Sequence, residues 1–161
     1  MEIERKFLIK KEDSPIDWTA FPHHDLEQAY IITEPVLRLR KKDDSYILTY
    51  KGPGFLKREE TEFPLTETAY RKLLTKSEGN IIKKTRYLIP EENDLTIELD
   101  QFHGILEGLY LAEVEFPTEE AAMLYTPPVW FDKEVTHEST FHNSTLSCMT
   151  NEEISRLLQS L

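Results

Sequence analysis

The chain carries a single cysteine, Cys148, in 161 residues, so no disulfide can form within it, in keeping with a reducing compartment. Glycine is scarce at five residues. The one glycine-rich stretch, GPGF at 52–55, lacks the Lys-Ser/Thr that follows in a phosphate-binding P-loop. No run approaches the ~20 apolar residues of a membrane helix, and charges break MEIERKFLIK too early for a secretory leader. Positive charge is also short: 19 Lys and Arg stand against 30 Asp and Glu, a net charge of −11. A phosphate backbone attracts basic surfaces, so this balance argues against nucleic acid as a partner. It does not exclude a small anion, because a concave site can carry its own local sign. The expectation is one cytoplasmic domain over 1–161 with a real core and no membrane contact.

Period-two alternation between turn residues predicts strands near 2–10, 27–33, 36–42, 45–52, 57–65, 80–89, 94–103 and 109–116. The short links KDDS, GPGF and PEEND make neighbours antiparallel hairpins. Helices are expected over 66–76 from the cap Thr66, after Thr118, and after Thr150, where Thr150 and Glu153 form a capping box. Asn143 is a further cap for a shorter turn. The spacing of Ile154, Leu157 and Leu158 suits packing on the barrel or a dimer contact, leaving monomer and homodimer open. The fold class is mainly β (α+β): an antiparallel β protein of about eight strands with three or so helices.

Sorted by parity, each strand has an apolar face and a charged one. The charged faces hold eight acids (Glu2, Glu4, Glu60, Glu62, Glu98, Asp100, Glu113, Glu115) and seven bases (Lys6, Arg38, Arg40, Lys51, Arg58, Lys84, Arg86). Patterning alone admits a sheet with a wet side and a core side. It also admits the inverse, with charge inside and helices outside. Three features favour the inverse. Acids and bases are segregated by strand, although like neighbours repel; arginine, whose forked donors suit phosphate oxygens, is prominent; and helices are available to cover the apolar face. A charged interior must be a water-filled channel, since burying unpaired charges costs several kcal/mol each. Adjacent carboxylates there suit a hard divalent cation, Mg²⁺ or Mn²⁺, and the bases suit an extended polyanion.

The ordered set Glu2-x-Glu4-x-Lys6, LRLR, LTYK, REETEF, KKTRY, IELD and AEVEF, with WFDKEVTHESTFHNSTLS near the end, resembles the CYTH-domain proteins of the triphosphate tunnel metalloenzyme superfamily. The resemblance spans nearly the whole chain. It implies an eight-stranded antiparallel β-barrel tunnel, charged inside, with helices packed outside, that binds a small-molecule linear triphosphate and a divalent metal. Carried over residue by residue, it implies Glu2, Glu4, Glu113 and Glu115 as metal ligands. It implies Lys6, Arg38, Arg40, Lys51, Lys84 and Arg86 as phosphate ligands. Glu60, Glu62, Glu98 and Asp100 then hold a second metal, orient water or fix the basic side chains. The chain departs from the family pattern at Asp132, Glu138 and Phe141 while keeping Asn143. These positions lie outside the tunnel strands and are expected to bear on packing more than chemistry.

The activity implied is metal-dependent hydrolysis of a linear triphosphate, inorganic tripolyphosphate first, with Glu2 or Glu4 orienting water and Lys6 neutralising phosphate. The alternatives are a thiamine triphosphatase, a class IV-type adenylyl cyclase making cyclic AMP from ATP, and a non-catalytic polyphosphate-binding domain. Adenine would need a pocket at the tunnel mouth, for which Phe21, His23, His24 and Tyr30 lie in a suitable region. His137 and His142 are expected at the surface, and Cys148, Trp18 and Trp130 in packing.

Overall fold

The computed structural model describes residues 1–161. Ten strands run antiparallel: β1 (Glu2–Ile9), β2 (His23–Thr33), β3 (Val36–Lys42), β4 (Ser45–Lys51), β5 (Lys57–Arg58), β6 (Glu60–Leu65), β7 (Glu78–Pro90), β8 (Thr96–Phe102), β9 (Tyr110–Glu115) and β10 (Phe131–Glu134). Four α-helices join them: α1 (Glu67–Leu74), α2 (Glu119–Leu124), α3 (Asn143–Ser147) and α4 (Asn151–Gln159). The sheet order is β10-β1-β9-β8-β7-β2-β3-β4-β6, with β5 also paired to β1.

That last pairing closes the barrel. The segment expected as one strand over 57–65 is interrupted at Glu59. Its first part pairs with β1 (Glu2 opposite Arg58, Ile3 opposite Lys57) and its second with β4 (Lys51 opposite Glu60 through Tyr46 opposite Leu65). One stave therefore bridges the two ends of the sheet, and eight staves form the wall. Strand β10 was not expected from the sequence; four residues, three of them exposed, give no alternation to detect. Strand β2 begins at His23 rather than residue 27, which moves His23 and His24 from loop to strand. The turn between β3 and β4 is two residues, Asp43 and Asp44, with Asp43 at φ 52°, a left-handed conformation that aspartate tolerates.

The helix caps form as their residues dictate. Thr66 and Thr118 accept from the backbone N–H of Ala69 and Ala121, and Thr150 with Glu153 forms a full capping box. Asn143 is the first residue of α3 and its side chain makes no cap.

Two apolar layers hold the barrel, and they lie on opposite sides of the wall. Outside, Ile3, Ile89, Ile97, Leu99, Ala112 and Val114 pack under Trp18, Phe116 and Ala122 of α2. The second layer takes the same strand phase as the charged residues: Leu8, Tyr30, Val36, Ile82, Phe102 and Leu111 continue the inward rows of their strands. They meet Val135, Phe141, Leu146 of α3 and Ile154 of α4. Leu157 and Leu158 pack against this group, so α4 spends its apolar face on the barrel. The interior is thus charged over part of its length and plugged with apolar side chains over the rest. One expectation about packing fails: Cys148 is exposed; Trp18 is buried in the outer layer and Trp130 packs against it, partly buried.

Candidate functional site

The inward rows converge on a cavity of about 280 Å³. Of the residues singled out from the sequence, Glu2, Glu4, Lys6, Arg38, Arg40, Lys51, Glu60, Glu62, Lys84, Arg86, Glu98, Glu113 and Glu115 all line it. Strand register explains the convergence: Glu4 stands opposite Glu115, Lys6 opposite Glu113, and Glu113 opposite Glu98 across three neighbouring strands.

Asp100 is the exception. It has no exposed surface, and its carboxylate, on the inward phase of β8, is fully engaged by the basic side chains of β7. It accepts from Lys84 Nζ at 2.7 Å and from Arg86 Nε and Nη2 at 2.7 and 2.8 Å. Of the roles open to it, fixing the basic side chains is the one this geometry serves. Arg86 is pinned further by Glu98 at 2.6 Å and Glu113 at 3.6 Å. Lys51 bridges Glu2 at 3.0 Å and Glu60 at 3.3 Å.

Arg38 and Arg40 are different. Arg38 donates only to Thr49 Oγ1 at 3.2 Å, and its buried Nε has no partner. Arg40 donates to Gln28 Oε1 at 3.1 and 2.7 Å. Neither guanidinium has a carboxylate partner, although every other base of the inner wall expected to bind phosphate has one. Burial, then repulsion from Arg38 and Arg86, brings Arg40 down to about 9. Two cations without counter-charge, Arg38 buried and Arg40 half-buried, give this part of the wall a local positive sign inside an acidic protein.

The lysines divide in the same way. Burial opposes the charge on Lys6, but Glu113, Glu4 and Asp100 outweigh it and hold its pKa above the ordinary lysine value. For Lys84, burial wins over Asp100, whose charge is shared with Arg86. Arg86 and Arg40 add repulsion, and the amine falls to about 7.

The acids pair with one another. Burial, with Glu113 and Glu2 nearby, raises Glu4 well above the usual carboxylate range. Burial also opposes charge on Glu113, but Lys6, Arg86 and Lys84 overcome it and hold Glu113 well below that range, with a hydrogen bond from Glu4 adding to the effect. Glu2 is raised by burial and by its hydrogen bond to Glu60. Two carboxyl groups in contact cannot both ionise without a cation. Glu2, Glu4, Glu113 and Glu115 sit on the adjacent strands β1 and β9 and offer only oxygen donors, which fits a hard divalent cation. The fit is one of donor chemistry and adjacency, since no three acidic or imidazole side chains converge on a single point.

The C-terminal stretch corrects the sequence reading most clearly. Phe141 packs its ring in the plug as expected, but its backbone carbonyl accepts from Lys6 Nζ, and Asn143, expected only as a cap, accepts from Lys84 Nζ at Oδ1, each at 3.2 Å. His142, expected at the surface, lines the cavity with Thr136 and Ser144. Burial, then Lys6, Arg58 and Lys51, drives its pKa down to about 4, so it is neutral at pH 7. Lys42 also lines the cavity and was missed; its phase matches Arg38 and Arg40, and parity alone finds it. Of the side chains considered for adenine, Phe21 packs in the outer layer and His23 stacks on Tyr87 at 5.8 Å, away from the tunnel. Tyr30 lines the cavity. His24 lines a second opening with Lys42, Arg40 and Arg86, its Nδ1 2.6 Å from Asp43.

Fold and site together define an antiparallel barrel with a charged interior, paired acids on the adjacent staves β1 and β9 and guanidiniums without carboxylate partners on β3. Residues 1–124 match the family model of the CYTH domain, and the chain belongs to that family. It is 37% identical over 154 residues to an inorganic triphosphatase of Nitrosomonas europaea, covering 91% of this chain and 96% of that protein. It is 34% identical to an inorganic triphosphatase of Acetivibrio thermocellus, covering 90% and 92%. A crystal structure of an inorganic triphosphatase superposes with TM-score 0.68 at 35% identity, covering 93% of this chain and 96% of that one.

Proposed function

We propose that the chain, acting as a single domain over 1–161 in the cytoplasm, hydrolyses linear triphosphates, inorganic tripolyphosphate first among them. The observation that carries this is the pair of guanidiniums without a carboxylate partner, Arg38 buried and Arg40 half-buried, facing a cavity whose opposite wall is carboxylate. The names of the relatives at 37% and 34% identity support the same activity.

In this reading Arg38, Arg40, Lys51, Lys84, Arg86 and Lys6 bind the three phosphoryl groups and neutralise their charge. Glu2, Glu4, Glu113 and Glu115 would hold Mg²⁺ or Mn²⁺, which when bound supplies Lewis-acid stabilisation of the phosphate oxygens. Glu2 or Glu4 orients a water in line with the terminal phosphorus. The water oxygen bonds to that phosphorus, the anhydride P–O bond breaks, and orthophosphate and diphosphate leave. The donors on the basic wall are already fixed by Asp100, Glu98 and Asn143, so little reorganisation accompanies the reaction.

A substrate screen with Mg²⁺ or Mn²⁺, reading orthophosphate, diphosphate and cyclic AMP together, tests this. Tripolyphosphate should yield orthophosphate and diphosphate in one-to-one ratio. Cyclic AMP from ATP as the main product would replace hydrolysis with cyclisation, and no cleavage of any triphosphate would leave only a binding domain. Thiamine triphosphate cleaved faster than tripolyphosphate would move the preferred substrate.

The same assay run against pH checks the role of Lys84. Its amine faces Asp100, Arg86, Arg40 and Glu113, and loses its proton as pH rises through about 7. An anion binds the protonated form, so triphosphate binding raises the amine's pKa and takes up a proton. KM for tripolyphosphate should therefore climb above that pH, by up to about tenfold per unit for one linked proton. A flat KM between pH 6 and 9 would remove Lys84 from phosphate binding.

A further inference from the structure

Among the residues lining the cavity, the only hydrophobic ones are Tyr30, Val36 and Phe55. Tyr30 and Val36 belong to the buried plug. Phe55 does not: it is 43% exposed, so its ring touches the charged cavity on one side and solvent on the other. Its ring centroid lies 5.4 Å from that of His142, itself a lining residue, at a tilt of 42°, and 5.9 Å from that of His137, at 53°. The loop that carries it is fixed at both ends. Arg58 Nε donates to the Gly52 carbonyl at 3.1 Å. Gly54 has φ +132°, and a Cβ there would sit 2.2 Å from the Lys57 carbonyl oxygen, so this path requires glycine.

An aromatic ring at the mouth of a phosphate channel can be a platform for a substrate ring or a seal against one. Here two imidazoles of the same chain already lie tilted against the ring, which favours a closed aromatic cluster over a platform for a third ring. We propose that the Phe55–His142 contact seals this mouth and makes Phe55 a specificity-determining residue. A bare triphosphate is enclosed whole. A nucleoside triphosphate must displace the ring to pass its sugar and base outward. The proposal rests on the triphosphatase reading and deepens it.

The test compares kcat/KM for ATP and for tripolyphosphate in wild type, Phe55→Ala and Phe55→Trp. The ratio of ATP to tripolyphosphate should rise roughly tenfold or more in F55A, on the scale of aromatic or apolar discrimination in a pocket. It should fall, or stay at its wild-type value, in F55W, and the change in F55A should lie mainly in KM for ATP. An unchanged ratio in F55A would overturn the seal and send the organic group to the opening beside His24. A lowered ratio would also overturn it, making Phe55 a stacking platform. Thermal melts of both variants check folding, and F55W keeps the test alive if F55A is unstable. Absence of tripolyphosphate cleavage by wild type is a separate failure, of the triphosphatase reading itself.

Discussion

Glu4→Gln should lose metal-dependent triphosphate turnover by roughly 10²-fold or more, since even the outer partners of metal ligands cost 10–100-fold when removed. The fold should survive. Glu4 is held well above the usual carboxylate pKa by burial and by Glu113 and Glu2, and it shares a hydrogen bond with Glu113. Glutamine keeps the side chain's size and a donor towards Glu113, but it cannot ionise to offer a metal an anionic oxygen. A melting temperature within a few degrees of wild type, with kcat/KM collapsed at saturating Mg²⁺ or Mn²⁺, is the expected pair of results. Turnover within threefold of wild type would take Glu4 out of the metal site, and raising the metal concentration separates lost affinity from lost chemistry.

Asp100→Ala is the substitution expected to cost most in stability. Lys84 and Arg86 both lose the carboxylate they share in a site with no exposure at Asp100. Breaking a buried ion pair by removing one partner costs about 3–5 kcal/mol. At about 2–4 °C per kcal/mol for a domain of this size, the melting temperature should fall by about 6–20 °C. The pH dependence follows from Asp100. Burial opposes its charge, but Arg86 and Lys84 outweigh burial and lower its pKa. An aspartate with a lowered folded pKa contributes stability that is present above its unfolded value of about 3.9 and is lost as pH falls through the folded value. The gap between wild type and D100A should therefore be full at neutral pH and narrow only in strong acid. A drop of under 2 °C would mean that the two cations find other partners.

These two variants probe what was legible in the sequence to different degrees. Glu4 is found by parity on β1, because alternation is a local property that one strand displays by itself. Asp100 has the same parity on β8 and looks like the same kind of residue. Only the register between β7 and β8, with Arg86 opposite Asp100, shows that its charge is consumed. Asn143 and the Phe141 carbonyl were placed outside the site because they lie outside the strands. They reach Lys84 and Lys6 across sequence separations of 59 and 135, which no pattern within the chain encodes.

By itself, the sequence determined the antiparallel strands, the helix caps and the phase in which charge repeats, since each depends on neighbours two to four residues apart. It also carried the ordered motifs that mark the family. Tertiary structure alone decided the rest: that the stave from Lys57 to Leu65 closes the barrel, that Leu8, Ile82, Phe102 and Leu111 plug its interior, and that Arg38 and Arg40 stay without carboxylates. The physical reason is one of range. Alternation sets which face a side chain takes, but burial and pairing depend on which residues other strands bring opposite it.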